Sequence, residues 1–238
     1  MTPLIYLKKS ISTNDEIAGY FTLNQNKNTA VYTFNQTKGR GQYGNTWKTH
    51  SDQNLAFSFC IKKDSICNIN SLFNYHTAAL FQKFFANLTN FEVKIKWPND
   101  LIIKNKKFAG ILIEAKKINN VDVFIIGIGV NVLQTDFQNL PKAGSILTET
   151  GISLNLEKLA EDLFAFFNEH ISRQIPEEQI LENFNDHLFR KNIISVFEIN
   201  GVRQNGIIKN ADADGYLWIE LENEGLKKFF HKEIELLY

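Results

Sequence analysis

Cysteine is scarce in this 238-residue chain: there are two, Cys60 and Cys67, and no histidine pair lies near them. That spacing builds no zinc site, and a disulfide framework needs more thiols, so both read as reduced thiols of a cytoplasmic protein. Charge of one sign is also missing. Lys+Arg and Asp+Glu number 26 each, so the chain lacks the dominant basic field of a general nucleic-acid binder. Long apolar runs are absent too. The opening MTPLIYLKKSIST is too broken for a signal peptide, and no stretch approaches the ~20 apolar residues of a membrane span. No repeat or low-complexity tract is present. The remainder is core-forming sequence, 44% hydrophobic, enough for one sizeable core and a small appendage.

The pattern alternates helices and strands. Residues 4–9 read as a short strand. Thr13 and Glu16 read as a capping box opening a helix to about Leu23. Residues 29–36 and 55–62 are β-branched and aromatic and read as strands. Over 69–88, Leu72, Phe73, His76, Leu80, Phe84 and Leu88 recur near helical spacing; His76 on that stripe reads as a satisfied core histidine rather than a ligand. VKIKW at 93–97 alternates as a strand ended by Pro98. LIIKNKKFAGILIEAKK predicts a hairpin turning near Asn105–Lys106. Residues 121–132, VDVFIIGIGVNV, predict a strand buried on both faces. Two helices follow over 155–190, split near Pro176. From Ile193 short strands are separated by turn signals at Asn205–Gly206, Asp214–Gly215 and Glu224–Gly225, which suggests a small SH3-like β-barrel. The expected architecture is α+β, a mixed, mostly antiparallel sheet with helices over residues 1–190, plus a barrel over 191–238.

TKGRGQYGNTW at 37–47 contains Gly39-x-Gly41-x-x-Gly44, the spacing of a dinucleotide-binding turn. A helix should open at the last glycine of such a turn, yet another strand follows. The protein-kinase loop also joins two strands, but no VAIK-like lysine, HRD or DFG accompanies it, and no GxxxxGK[S/T] occurs. What remains is a strand–loop–strand in which glycines admit backbone N–H groups to a phosphate. Arg40 suits a bidentate clamp on a phosphate or carboxylate, and Trp47 suits stacking on a base; an ordinary mobile loop with a core tryptophan reads equally well. In Val93–Trp97, Lys94 and Lys96 share the face opposite Val93, Ile95 and Trp97. A lysine at the tip of a central strand suits a phosphoryl or carboxylate oxygen; a solvated lysine is the plainer reading of this segment alone.

In order along the chain stand STN at 12–14, Q-x-x-GRG at 36–41, Gly44-x-x-Trp47, KWPNDL at 96–101, KKFAGILIE at 106–114 and GIGVNV at 127–132. This series resembles the signature of biotin–protein ligases, in the form without an N-terminal DNA-binding domain, since eleven residues precede STN. The resemblance implies a class II synthetase-like catalytic domain and two-step acyl transfer. Biotin and ATP, with Mg²⁺, would give biotinyl-5′-AMP, and a lysine on the biotin carrier domain of a carboxylase would then take the biotin. It further implies Lys96 and Arg40 as catalytic cations. Ser12, Thr13, Asn14 and Gln36 would meet the ureido ring, and Gly110 and Leu112 would wall it. Arg40, Gly41, Gln42, Trp47, Lys96, Asn99 and Asn131 would lie at the nucleotide, with Asp100 assisting near the phosphates.

The glycine loop would order over the intermediate and exclude water. Gln42 and Asn45 stand where the family commonly carries arginine, which implies weaker retention of the adenylate. The rivals are a lipoate or octanoate ligase, whose arginine-rich glycine-run motif is not found here, and a non-catalytic biotin- or nucleotide-binding module. The expected partner is a transient carrier domain, with no nucleic acid or membrane; a homodimer along a sheet edge stays open.

Overall fold

The computed structural model describes residues 3–25, 27–66, 71–138 and 140–238, with Tyr43 as backbone only; Cys67 and the first two positions of the expected 69–88 helix lie outside them. The chain runs through strands β1 (Leu4–Tyr6), β2 (Thr29–Thr33), β3 (Gly39–Arg40), β4 (Thr46–Trp47), β5 (Asn54–Lys62), β6 (Val93–Lys96), β7 (Asp100–Ile103), β8 (Lys106–Ile118) and β9 (Val121–Asn131). Helix α1 (Thr13–Leu23) follows β1, and α2 (Ser71–Thr89) follows β5. After β9 come α3 (Ile146–Thr150), α4 (Leu156–His170) and α5 (Glu177–Asp186). Five further strands close the chain: β10 (Ile194–Ile199), β11 (Val202–Ala211), β12 (Leu217–Leu221), β13 (Gly225–Phe229) and β14 (Glu235–Leu237).

A seven-stranded sheet in the order β1-β2-β5-β9-β8-β7-β6 forms the frame. Its β1–β2 pair is parallel and the others are antiparallel, as the α+β expectation requires. Residue parity divides its two faces. Phe57 and Phe59 of β5 and Ile126 and Ile128 of β9 point into a phenylalanine-rich core under α2, α4 and α5. On the other face α1 seats Ile17 and Phe21 over Val31, Cys60 and Ile125. That helix is short and covers only one end. The uncovered remainder is paved with small residues in cross-strand rows: Ala56–Gly129–Gly110, then Ser58–Gly127–Leu112. A floor with three glycines beside a helix N-terminus is where a ligand can approach the backbone. Thus β9 is core on one face, while its other face passes from the α1 contact to this floor.

Several local expectations change. Ser12, not Thr13, is the N-cap of α1, and its side chain makes no capping bond. Glu16 instead accepts from Ser10 Oγ at 2.6 Å and Ile11 N at 3.0 Å. Thr13 is thereby released for the site. Lys96 stands at the tip of an edge strand, not a central one; β6 is covered on its outer side by Ile95 N–His187 O and Phe189 N–Ile95 O bonds. Asn205–Gly206 lies inside β11, paired with β10. The real hairpin turn is Asn200–Gly201, with φ of 51° and 81° between the paired Ile199 and Val202, the geometry of a type I′ turn. The final sheet, β13-β12-β11-β10-β14, is antiparallel and compatible with an SH3-like barrel.

His76 is buried in α2, yet its Nε2 has no hydrogen-bond partner. Burial, opposed by bonds to the His170 and Ile171 backbone, holds its pKa below the ordinary 6.5. The folded state therefore binds fewer protons than the unfolded one, so stability falls as pH drops through 6.5 and below. His76→Leu, which cannot charge, should show a shallower loss of Tm between pH 7 and 5 than the wild type; parallel slopes would refute this.

Candidate functional site

A compact cavity of about 220 Å³ opens on the glycine floor. Its polar end is a hydrogen-bonded chain. Gln36 Oε1 accepts from Thr13 N at 2.9 Å and lies 3.2 Å from Thr13 Oγ1. Ser58 Oγ lies 2.7 Å from Thr13 Oγ1 and donates to Asn14 Oδ1 at 2.6 Å. Asn14 Nδ2 donates to Glu114 Oε2 at 2.8 Å. Every expected ureido contact lines this cavity: Ser12, Thr13, Asn14 and Gln36, with Gly110 and Leu112 as wall. Sequence reasoning missed Ser58, which lies in no local motif, and gave no role to Glu114 at the end of KKFAGILIE.

The GRGQYGNTW segment is a small hairpin, β3 against β4, closed by Gly41 N–Asn45 O at 2.7 Å over a single 3₁₀ turn at Gln42–Gly44. Gly39 is required by crowding: a Cβ there would sit 2.5 Å from Trp47 O and 2.6 Å from Gln36 Nε2. The hairpin lays Trp47 across Gly129, whose Cβ would fall 2.4 Å from the indole, and over Gly110 at 3.2 Å. Trp47 Nε1 is buried without a partner.

Arg40 does not join Lys96. Its guanidinium meets Asp15 Oδ1 at 2.8 Å and Glu114 Oε2 at 3.2 Å, with Lys116 Nζ 3.5 Å from the same Asp15 oxygen. The cations beside Lys96 are Lys107 and Lys142, which together with burial, the larger cause, lower its pKa; Asp100 and Glu235 oppose them. Lys107 pairs with Asp100 at 2.6 Å and lies 5.4 Å from the Trp47 ring centroid. It sits inside the KKFAGILIE motif, where plain alternation sets it opposite Gly110; a register shift in the β7–β8 pairing brings the two to one side. Asn99 holds backbone: its Nδ2 donates to Ile111 O at 2.7 Å and its carbonyl accepts from Ile111 N at 3.0 Å.

A larger cavity of about 910 Å³ adjoins the first and shares Thr46, Trp47, Lys96, Asp100 and Lys107 with it. Asn131 lines this second chamber, where its Nδ2 donates to Gly144 O at 3.0 Å and ties down the segment after β9. Lys142 and the Tyr238 ring also line it, with Lys142 Nζ 4.8 Å and Lys96 Nζ 6.0 Å from the ring centroid. Gly41 and Gln42 face the compact chamber.

Two chambers, one polar-ended and one wide, are joined where Lys96 and Lys107 line both. The chain belongs to the biotin/lipoate A/B protein ligase family, whose model matches residues 7–131. It is 26% identical over 223 residues to the bifunctional ligase/repressor BirA of Bacillus subtilis, covering 90% of this chain and 67% of that protein. To the BirA of Escherichia coli K12 it is 28% identical over 208 residues, covering 81% and 61%. In fold it resembles the biotin protein ligase of Aquifex aeolicus in complex with biotin and ATP, with a TM-score of 0.81, 22% identity and coverage of 100% and 99%. Among the described residues no helix is long and apolar enough to cross a membrane.

Proposed function

We propose that this chain is a biotin–protein ligase. It joins biotin to ATP as biotinyl-5′-AMP and passes the biotin to one lysine of a carboxylase carrier domain, in the cytoplasm. The observation that carries this is the meeting of the polar-ended chamber with the wide one at Lys96 and Lys107. A biotin carboxylate oxygen attacks the α-phosphorus, and the bond to the pyrophosphate oxygen breaks. Two anions meet in that step, so fixed cations lower its barrier. The catalytic unit is residues 1–190, with 191–238 as the barrel. Among the described residues no cluster of three or more His, Cys, Asp and Glu could hold a metal alone. Mg²⁺ commonly uses one or two carboxylates together with substrate phosphates, and Asp100, in the lining of both chambers, fits that role. The ion would neutralise phosphate charge. Incubating the protein with ATP, Mg²⁺, biotin and a carrier domain should add one biotin to one lysine by mass spectrometry; an unmodified carrier would overturn the reading.

The family also contains lipoate ligases, and the polar chain separates the two substrates. A ureido ring offers one acceptor and two donors to Thr13, Asn14, Gln36 and Ser58. A dithiolane offers none, so it would gain no hydrogen bond from that polar end, and a site built to bond a substrate's polar groups discriminates against an analogue lacking them. ATP–pyrophosphate exchange should therefore run at least about 10²-fold faster with biotin than with lipoate; equal rates would refute the assignment.

Gln42 and Asn45 line the compact chamber where charged side chains would hold the adenylate phosphate. Gln42→Arg should slow the release of biotinyl-AMP and reduce labelling of bystander lysines. Release at the wild-type rate would remove this idea.

A further inference from the structure

The C-terminal region sends His231 into the compact chamber, while its Glu235 and Tyr238 line the wide one. His231, between β13 and β14, lines the compact chamber, and it also lines a separate cavity of about 310 Å³. That cavity lies between the first turns of α2, the Trp97–Pro98 turn and Leu112–Ile113 of β8, and it shares Gln42, Leu112 and His231 with the compact chamber. The imidazole is half-buried, with its ring centroid 5.7 Å from that of Trp97. The walls suit a lysine side chain: Tyr75, Trp97, Pro98 and Phe230 are apolar or aromatic and can cover four methylenes and face an ammonium.

The acyl-transfer step needs such a passage and a base in it, because an acceptor lysine arrives as an ammonium and cannot attack until it loses a proton. The other groups nearby are unsuited. Asp100 is ion-paired with Lys107 at 2.6 Å, and Lys96 serves as a cation.

We infer that the 310 Å³ cavity admits the acceptor lysine and that His231 takes the proton from its ammonium before the amine attacks the adenylate. The inference rests on the ligase reading above. The neutral amine then bonds to the acyl carbon, and the bond from that carbon to the phosphate oxygen breaks. AMP leaves with the bonding electrons. The second N–H proton goes to the departing phosphate or to solvent, and the imidazolium returns its proton to solvent. The charged and titratable groups that face His231 are Lys96 from β6, Asp100 from β7, its neighbour Lys232, and Tyr75 across the passage. Burial first, then Lys96 and Lys232, hold its pKa below 6.5, with Asp100 opposing. It is therefore neutral, and able to accept a proton, at pH 7.

The experiment starts from full-length protein carrying preformed biotinyl-AMP and follows capture by two nucleophiles at pH 7: the lysine of a carrier domain, and hydroxylamine, which is already neutral there. His231→Gln should slow transfer to the lysine by about 10²-fold, the scale of general-base catalysis. Hydroxylamine capture should fall far less, and the lysine deficit should shrink as pH rises and more of the amine is free. Loss of both captures to the same extent would mark a structural role and overturn the inference, as would a variant that labels the carrier at the wild-type rate. A wild type that labels no carrier would overturn the ligase reading along with it.

Discussion

Lys96→Ala should lower biotin-dependent ATP–pyrophosphate exchange by roughly 10²- to 10³-fold, the range for loss of one preorganised electrostatic stabiliser. The side chain is half-buried, and burial first, with Lys107 and Lys142 adding to it against Asp100 and Glu235, pushes its pKa down. The nearby carboxylate of Asp100 is already paired with Lys107. Among the described residues no carboxylate comes within ion-pair distance of Lys96. A half-buried ammonium with no carboxylate in direct contact carries a desolvation cost, and an entering phosphate or carboxylate relieves it. The same reasoning fixes the sign of the effect on stability. Removing the group should leave Tm unchanged or raise it, since no pair is broken. Lys96→Arg should rescue poorly, because a planar fork does not reproduce a compact point charge at the junction of two chambers. Near-normal exchange by Lys96→Ala would contradict the role, and a large fall in Tm would show that the lysine instead supports the fold.

How much of this was legible beforehand depended on whether the signal was local. The apolar alternation of 55–62 and 121–132 and the 3.6-residue stripe of α2 are properties of adjacent residues, and the elements stand close to where they were expected. The helix stop at Leu23 and the break before Glu177 were equally local. Turn residues misled where two candidates compete within a few positions. Asn200–Gly201 and Asn205–Gly206 are the same dipeptide and carry the same local signal; Asn200–Gly201 makes the turn because it keeps Phe197 of β10 inside and places Gly206 beneath Phe197, Ile219 and Leu221 without a Cβ to clash. The short α3 carries too few residues for a periodic signal, although its Ser145 cap and αL Gly151 close both ends.

The site shows the same division. Its STN, GRG, KWPND and GIGVNV pieces were visible as words. Their meaning depended on non-local pairing: β6 is an edge strand, Arg40 reaches Asp15 and Glu114, and Ser58 sits under Asn14 only because β5 pairs with β9 in one register. One available signal went unused. Gly127 and Gly129 are two apart within an otherwise bulky strand, so they share a face, and that face had to be approached by something other than their own side chains.

That face gives the second large effect: Gly127→Ala should weaken biotin binding by roughly 10²-fold while the protein remains folded. A Cβ at this position would lie 2.2 Å from Asn14 Oδ1 and 2.9 Å from its Cγ, well inside contact distance. Asn14 has nowhere to yield. Ser58 holds its oxygen at 2.6 Å, Glu114 holds its nitrogen at 2.8 Å, and α1 is anchored by fully buried Ile17 and Phe21. The asparagine must leave its rotamer, and the Ser58–Thr13–Gln36 chain loses its end. Two ligand hydrogen bonds at about 1.5 kcal/mol each, at tenfold per 1.4 kcal/mol, give that magnitude. Gly19→Ala, where an added methyl meets nothing within 4 Å, should bind biotin as the wild type does. If the damage passes through Asn14, Gly127→Ala made in an Asn14→Ala background should cost little more than Asn14→Ala alone, since coupled neighbours are not additive. Calorimetric titration of the wild type and the four variants decides the matter: unchanged affinity in Gly127→Ala, or full additivity in the double variant, would mean that the glycine floor and the asparagine above it do not act together on the ligand.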